Sequence, residues 1–452
     1  MGIFSKIFGS KKLNTSIDIS DIELSAEQKA LLDKIEDTKE HMFITGKAGT
    51  GKSVLLQYFR ANTKKQTVVC AFTGVAALNV GGQTINSLFK IPPGFIHLDR
   101  LTLSQKTATL LRHIDTVVID EISMVRADMM DAIDVLLRKA RGNDIPFGGV
   151  QVVMFGDLYQ LPPIVADREL HRYFADNHGG FHFFNAHVWQ KAKLSIYELT
   201  NVFRQKDDQN FLRVLNTIRR GDADDETLGV LNKRVVSSIP EDGVILLATT
   251  NAIVDQINYR RLSQIDEKQY EYAAEVSGEM ESSWFPADEI LNLKKGAQVM
   301  MLKNDPEKRW VNGTIGTIYS LDDNEIIVNI DGMKYPVSRH TWSKIRYTYN
   351  PSSRRVEEEI ISSFTQFPLR LAWAITIHKS QGKTYNSVAI DMGSGAFAHG
   401  QAYVALSRCT TLGGLYLKQE LTRDDVIVDS AVVNFMGNVQ LATVKTEQSV
   451  TL

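Results

Sequence analysis

Residues 42 to 59, MFITGKAGTGKSVLLQYF, set a short apolar run against the pattern G-x-x-x-x-G-K-[ST], from Gly46 to Ser53, and follow it with helical spacing. Strand, glycine loop and helix in that order admit few architectures. Glycines at 46, 49 and 51 let backbone N–H groups curl around phosphate oxygens with no Cβ in the way. Ala48 and Thr50 complete the lining, Lys52 reaches the β and γ phosphates, and Ser53 ligates Mg²⁺. The set Gly46, Ala48, Gly49, Thr50, Gly51, Lys52 and Ser53 therefore reads as an ATP and Mg²⁺ site. Apolar residues at 54, 55, 58 and 59 mark a helix whose positive N-terminus faces those phosphates. A glycine turn without a ligand is the alternative for the pattern taken alone.

At 452 residues the chain has room for two or three domains. No apolar run approaches the roughly 20 residues that span a bilayer, so no membrane role is expected. Cys70 and Cys409 are far apart and lack metal-type spacing, which fits buried thiols in a reducing compartment. A net charge of -2 excludes a globally basic nucleic-acid binder but leaves open a locally basic groove. The opening MGIFSKIFGSKK lacks the long apolar core of a secretion signal, so residues 1–23 read as a frayed arm. A bacterial or phage-type cytoplasmic, nucleoid-associated setting is the default expectation, with a mitochondrial or nuclear one left open.

Apolar β-rich runs HMFIT, TVVCAF, TVVID and QVVMFG alternate with helical patterns at 54–62 and 124–140, the signature of an α/β layer with buried parallel strands. The alternation resumes after Tyr197 with a helix near 208–220, GVILLATT, NAIVDQINYRRL, AQVMML and SVAIDM. Between Lys303 and Thr365 short alternating strands and turn signals predict a small antiparallel barrel inserted into the second α/β domain. The expected division is a first domain at 24–194 with an insertion at about 90–105, a second at 195–302 and 364–430, the barrel at 303–363, and a polar, loosely ordered tail at 431–452.

In TVVIDEIS an apolar strand delivers Asp120 and Glu121 to its carboxyl end, where ligands bind in open α/β sheets. Asp120 then holds Mg²⁺ through water or Ser53, and Glu121 polarises the attacking water. An acidic helix N-cap is the alternative. VVMFGDLYQLPP places Asp157 and Gln160 beyond another strand, so Gln160 can report the γ-phosphate or the attacking water, while Asp157 also suits a simple loop cap.

These segments, with FTGVAALNVGGQTINSLF at 72–89, LTNVFRQ at 199–205, WAITIHKSQG at 373–382 and AYVALSRC at 402–409, resemble the Pif-type helicases of superfamily one, subgroup B, together with their RecD-like and Dda-like relatives. The resemblance covers about 24–417. It implies two RecA-like parallel-sheet domains, a wedge insertion and an inserted barrel of the src-homology-three type. By the same resemblance Gln28 in LSAEQ reads the adenine edge, Gly382 lies at the nucleotide, and Arg204 and Arg408 are fingers given by the second domain to a nucleotide held by the first. Thr73, Gly74, Asn86, Asn251, Thr376, His378 and Lys379 fall on the single-stranded DNA track, with Asn86 departing from the His of many relatives. In KIPPGFIHLDR, Phe95 is the candidate strand-separating pin. The implied activity is ATP-driven 5′ to 3′ unwinding of forked or structured DNA by a protein that is monomeric on DNA, in repair, recombination or genome maintenance. Competing readings are a translocase without efficient unwinding and a nucleic-acid-independent ATP-driven remodelling switch.

Overall fold

The computed structural model describes residues 23–443 except 166, 241 and 242. The expected N-terminal arm and the end of the tail lie outside these residues. The chain opens with α1 (Ala26–Asp37), β1 (His41–Gly46), α2 (Lys52–Asn62), β2 (Thr67–Ala71), α3 (Gly74–Asn79), β3 (Gln83–Thr84), α4 (Ile85–Phe89), α5 (Gln105–His113), β4 (Thr116–Asp120), α6 (Ala127–Arg141), β5 (Gln151–Phe155), α7 (Arg168–His178), α8 (His187–Lys191) and β6 (Leu194–Leu199). Its six strands form one parallel sheet in the order β3-β2-β4-β5-β1-β6. The strands read as apolar runs because helices cover both faces; Met42, Phe43, Ile44, Val117, Val118, Val152 and Val153 are fully buried. Strand β6 completes this sheet, so the first lobe extends past residue 194.

The second lobe follows with α9 (Gln209–Arg220), α10 (Asp225–Asn232), β7 (Ile245–Ala248) and α11 (Asn251–Ser263). An antiparallel region interrupts it: β8 (Gln269–Ala273), β9 (Glu275–Ser277), β10 (Ile290–Lys294), β11 (Gln298–Met301), β12 (Ile315–Leu321), β13 (Ile326–Ile330), β14 (Met333–Val337), β15 (His340–Asn350), β16 (Arg355–Gln366) and β17 (Leu369–Leu371). The chain then returns through β18 (Ala374–Thr376), β19 (Val388–Asp391), α12 (Gln401–Leu406), β20 (Leu415–Leu417) and α13 (Ser430–Asn438). The second parallel sheet runs β18-β7-β19-β20 and is thus stitched from distant segments.

The antiparallel region is wider than 303–363. AQVMML supplies β11, which pairs with β12 and β17 rather than joining the second parallel sheet. The sheet β14-β13-β12-β11-β17 is built on two-residue chemistry at Asp331-Gly332, whose positive φ values of 50° and 84° join β13 to β14. Among the described residues no ladder joins its edge strands β14 and β17, so backbone pairing does not close it into a barrel. The long hairpin β15–β16 is a separate sheet with β9. The start of the expected loose tail is also ordered: α13 buries Val432 and stacks Phe435 on Phe184, with centroids 4.1 Å apart, because its apolar face covers the first lobe.

Candidate nucleotide cleft and nucleic-acid face

At the carboxyl end of β1 the chain turns through Gly49 and Gly51, at φ of 83° and 81°, before α2 begins at Lys52. These glycines serve close approach as well as backbone freedom. A Cβ at Gly49 would lie 2.5 Å from Arg204 Cβ, and one at Gly51 would lie 2.7 Å from Gln28 Nε2. Lys52 Nζ donates to the carbonyls of Gly46 and Lys47 at 2.6 and 3.0 Å. Burial pushes its pKa down to about 8. Thr50 is buried, its hydroxyl donating to Lys47 O, whereas Ser53 is exposed at the mouth.

Asp120 ends β4 and Glu121 follows it in the left-handed region at φ 52°, an uncommon conformation for a residue with a Cβ. Burial, and for Asp120 the adjacent Glu121, pushes both carboxyl groups up, Asp120 to about 7. Gln381 Nε2 donates to Glu121 Oε2 at 3.0 Å, tying the second lobe to this carboxylate. Gln160 donates to Asp157 Oδ2 at 3.3 Å; Asp157 is fully paired rather than a bare loop cap.

The two arginines expected as fingers differ in their settings. Arg408 is 1% exposed, and its guanidinium donates to Val404 O, Ser380 O, Lys383 O and Ser407 Oγ, all within the second lobe. Arg204 was expected in that lobe but sits in the connection after β6. Its neighbour Phe203 donates its N–H to Gly49 O at 2.9 Å, while Arg204 Nη1 donates to Ser407 O at 3.0 Å. It therefore bridges the lobes, and its buried Nε has no partner. Burial and the neighbouring Arg408 bring its pKa down to about 9. Gln28 fixes the far end: its Oε1 accepts from Ser25 N–H in a capping box, leaving Nε2 directed at Gly51.

One cavity of about 470 Å³ collects these groups: Gln28, the loop from Ala48 to Ser53, Asp120, Glu121, Gln160, Arg204, Gly382 and Arg408. Gly46 is the predicted nucleotide residue outside its lining. Phe203, Arg219 and Tyr403 were missed. Phe203 is 48% exposed beside Gly51 and lies inside a quoted motif. Arg219 Nη2 donates to Asp157 Oδ1 at 3.0 Å, and Tyr403 Oη accepts from Ala48 N–H at 2.9 Å and donates to Asp157 Oδ2 at 3.4 Å. Both come from helices of the second lobe, and no spacing in the sequence announces such long-range pairing.

The predicted DNA residues are spread over both lobes. Thr73 caps α3 through Ala76 N–H, and Gly74 lies under Trp284, whose ring would meet a Cβ at 2.7 Å. Asn86 spends its amide on Ile91 O and Pro92 O, bracing the loop that follows α4. Phe95 is half-buried, edge-on to Tyr173 and His97 with centroids 4.6 and 4.8 Å away, while Pro92, Pro93 and Gly94 form the exposed tip. Asn251 opens α11 and is exposed; Thr376 Oγ1 accepts from Lys379 N–H; burial lowers the pKa of His378 and of Lys379. Lys379 lines a second cavity of about 580 Å³ with Arg370, Lys294, Asp255 and Asp288, beside α11.

A phosphate loop on one parallel sheet, with Arg204 in the connection that leaves it and Arg408 and Gln381 from the second lobe, defines a nucleotide hydrolase of the two-lobed motor class. Comparison with known proteins places it further. The family model for PIF1-like helicase matches residues 23–229, and that for the DNA helicase Pif1 2B domain matches 281–321. The ATP-dependent DNA helicase Pif1 of Bdellovibrio bacteriovorus is 33% identical over 440 residues, covering 94% of each chain. Bacteroides Pif1 in complex with ADP-AlF4 is 40% identical with TM-score 0.86, and its single-stranded-DNA complex has TM-score 0.65; both matches cover 92% of this chain and 97% of the other. The chain belongs to the PIF1-like helicase family.

Proposed function

We propose that closure of this cleft on ATP and Mg²⁺ drives 5′ to 3′ movement on single-stranded DNA and separates strands at a fork, with one chain sufficing on the DNA. As a member of its family the chain is an ATP-dependent DNA helicase. The observation that carries the mechanism is the shared cavity, in which the phosphate loop of the first lobe meets Arg204 and Arg408 while Gln381 of the second lobe holds Glu121. Lys52 and the loop amides hold the β and γ phosphates. Glu121, its basicity raised by burial, takes up the proton of the attacking water while Gln160 orients it. Arg204 and Arg408 spread donors over the γ-phosphate, so the lobes close only while that phosphate is present.

The Mg²⁺ reading is consistent with the donor set: Ser53 and Asp120 offer oxygen alone, and the buried carboxyl of Asp120 carries a raised pKa that a cation relieves. Ser53 and Asp120 would hold the ion, which would supply positive charge against the phosphates. Thr73, Gly74, Asn251, Thr376, His378 and Lys379 supply hydroxyl, amide and cationic contacts that hold phosphate and sugar without reading sequence. The wedge assignment shifts to the Pro92–Pro93–Gly94 tip, with Phe95 bracing it from behind. Work in repair or genome maintenance follows from this reading.

Lys52→Ala should abolish ATPase stimulation by single-stranded DNA while leaving the fold intact. Forked duplexes with a 5′ or a 3′ tail, assayed beside single-strand translocation, test direction and unwinding. Unwinding only from 3′ tails, or normal unwinding by Lys52→Ala, would sink the scheme, and translocation without unwinding would reduce it to a translocase.

A further inference from the structure

Three side chains from three helices converge behind the proposed wedge loop; none of them lines the nucleotide cleft or is assigned to DNA. Asp131 belongs to α6, His178 is the last residue of α7, and His187 is the first of α8. Asp131 Oδ2 lies 2.9 Å from His187 Nδ1 and 3.3 Å from His178 Nε2, and the three ligand atoms all fall within 4.8 Å of one another. A tetrahedral ion with bonds of about 2.0 Å to nitrogen and oxygen holds its ligand atoms about 3.3 Å apart. Two edges of such a polyhedron are therefore already in place.

His178 supplies the independent sign of a ligand. Its side chain is 2% exposed, and neither ring nitrogen has a hydrogen-bond partner; the approach of Nε2 to Asp131 lacks hydrogen-bond alignment. Leaving a buried polar group unmet costs about 1–3 kcal/mol, and native structures leave few without a reason. Asp131 is oriented as a ligating carboxylate should be. Its Oδ1 accepts from Val188 N–H at 2.9 Å and its Oδ2 from His187 N–H at 3.1 Å. His187, with a side chain 53% exposed, leaves a path from solvent.

We propose that Asp131, His178 and His187 bind one divalent transition-metal ion of the zinc class, with solvent in the fourth position, and that the ion fastens the helices behind the wedge loop. The mechanical link is short. Tyr173 of α7 packs edge-on against Phe95 and lies 5.9 Å from the His178 ring. Asp128, one turn before Asp131 on α6, accepts from Ile96 N–H at 3.3 Å, and Arg126 donates to Gly94 O at 2.6 Å. Joining α6, α7 and α8 through one ion stiffens the frame on which the tip stands.

The test uses the metal-stripped full-length chain without nucleotide, titrated with Zn²⁺ against a chromogenic chelator and with Co²⁺ by visible absorption. One equivalent should bind with a tetrahedral cobalt spectrum, and Zn²⁺ should raise the melting temperature. His187→Ala, a change at an exposed position, should weaken binding at least tenfold and remove the thermal shift; His178→Gln should do the same. Zn²⁺ should also slow amide exchange at residues 94–97 in the wild type alone. No bound ion in the wild type, or equal binding by His187→Ala, overturns the site; binding without slowed exchange overturns the link to the wedge.

Discussion

The two parallel sheets are built from the same alternation but reach their positions differently. Six strands of the first lie within residues 41–199, whereas the second joins Ile245–Ala248 to segments beginning at Ala374, Val388 and Leu415. Everything between α11 and β18 is an excursion, and it does not stay with its own lobe. The hairpin β15–β16 reaches the first sheet: Val69 N–H donates to Tyr347 Oη at 3.2 Å, Tyr347 N–H to Gln83 Oε1 at 3.0 Å, and Val356 N–H to Gln66 Oε1 at 2.8 Å. His113 and Tyr349 stack with centroids 3.6 Å apart. Besides the packing of α13 on the first lobe, the lobes are thus joined through the nucleotide cleft and through an inserted hairpin, and variants at these two joints test whether they act independently.

The cleft joint should give the largest effects. Arg408→Ala removes a proposed finger, and fingers of this kind are worth about 10³–10⁵ in kcat; nucleotide binding should survive because the loop on the first lobe is intact. Steady-state ATPase beside nucleotide titration checks this, and a variant losing affinity and rate equally would place Arg408 in ground-state binding instead. Arg219→Ala comes next. Burial raises the pKa of Asp157, yet Arg219 and Lys52 outweigh it and keep the carboxylate ionised. Removing the partner strands a buried charge at a cost of about 3–5 kcal/mol, visible as a lowered melting temperature. Arg219→Leu with Asp157→Asn should recover most of the stability without restoring the ATPase.

What the sequence could and could not disclose follows the same division. The loop from Gly46 to Ser53, Asp120 with Glu121, and Gln160 were legible because each follows a short apolar strand directly, so local pattern and final position coincide. Arg204 was found by motif, but its place in the connection was not, because LTNVFRQ begins in the last residue of β6 and only the parallel register of that strand with β1 assigns it to the first lobe. Arg219 sits on an amphipathic helix and Tyr403 inside AYVALSRC on a helix buried all round; their partners, Asp157 and Ala48, are far away in sequence. AQVMML looked like another buried parallel strand because an apolar run of four to six residues carries no sign of its pairing direction. The helix α13 was hidden by the polar residues around SAVVNFMGN.

A pH experiment separates the first sheet from what is attached to it. His41 opens β1, its Nδ1 accepting from Val152 N–H at 3.2 Å, and burial pushes its pKa down from the usual 6.5 to about 4. Above pH 6.5 neither state of the chain holds this proton. Between 6.5 and 4 the unfolded chain takes it up and the folded chain does not, so stability falls as pH falls through that window and levels off below it. At 1.36 kcal/mol for each unit, the loss reaches about 3 kcal/mol. His41→Gln should flatten that part of the curve of denaturant stability against pH. An unchanged slope would move the acid sensitivity to His340 in the hairpin, whose pKa is also lowered to about 4 by burial and by Lys303.

The smallest effect tests the hairpin joint directly. Tyr347 is 4% exposed, and its hydroxyl accepts from Val69 N–H within the first sheet. Tyr347→Phe keeps the ring and its packing, so it removes one acceptor and leaves the Val69 amide unmet at that side, a loss of about 1–3 kcal/mol. Denaturant unfolding should register it. If the two joints are independent, nucleotide affinity and the basal ATPase stay at wild-type values while stability drops. If holding the hairpin against the first sheet opposes the engagement of single-stranded DNA, DNA affinity by fluorescence anisotropy rises in the same variant. Weaker nucleotide binding with unchanged stability would break the division, because it would mean that the hairpin contact is read out at the cleft through the strand order β2-β4-β5-β1 that lies between them.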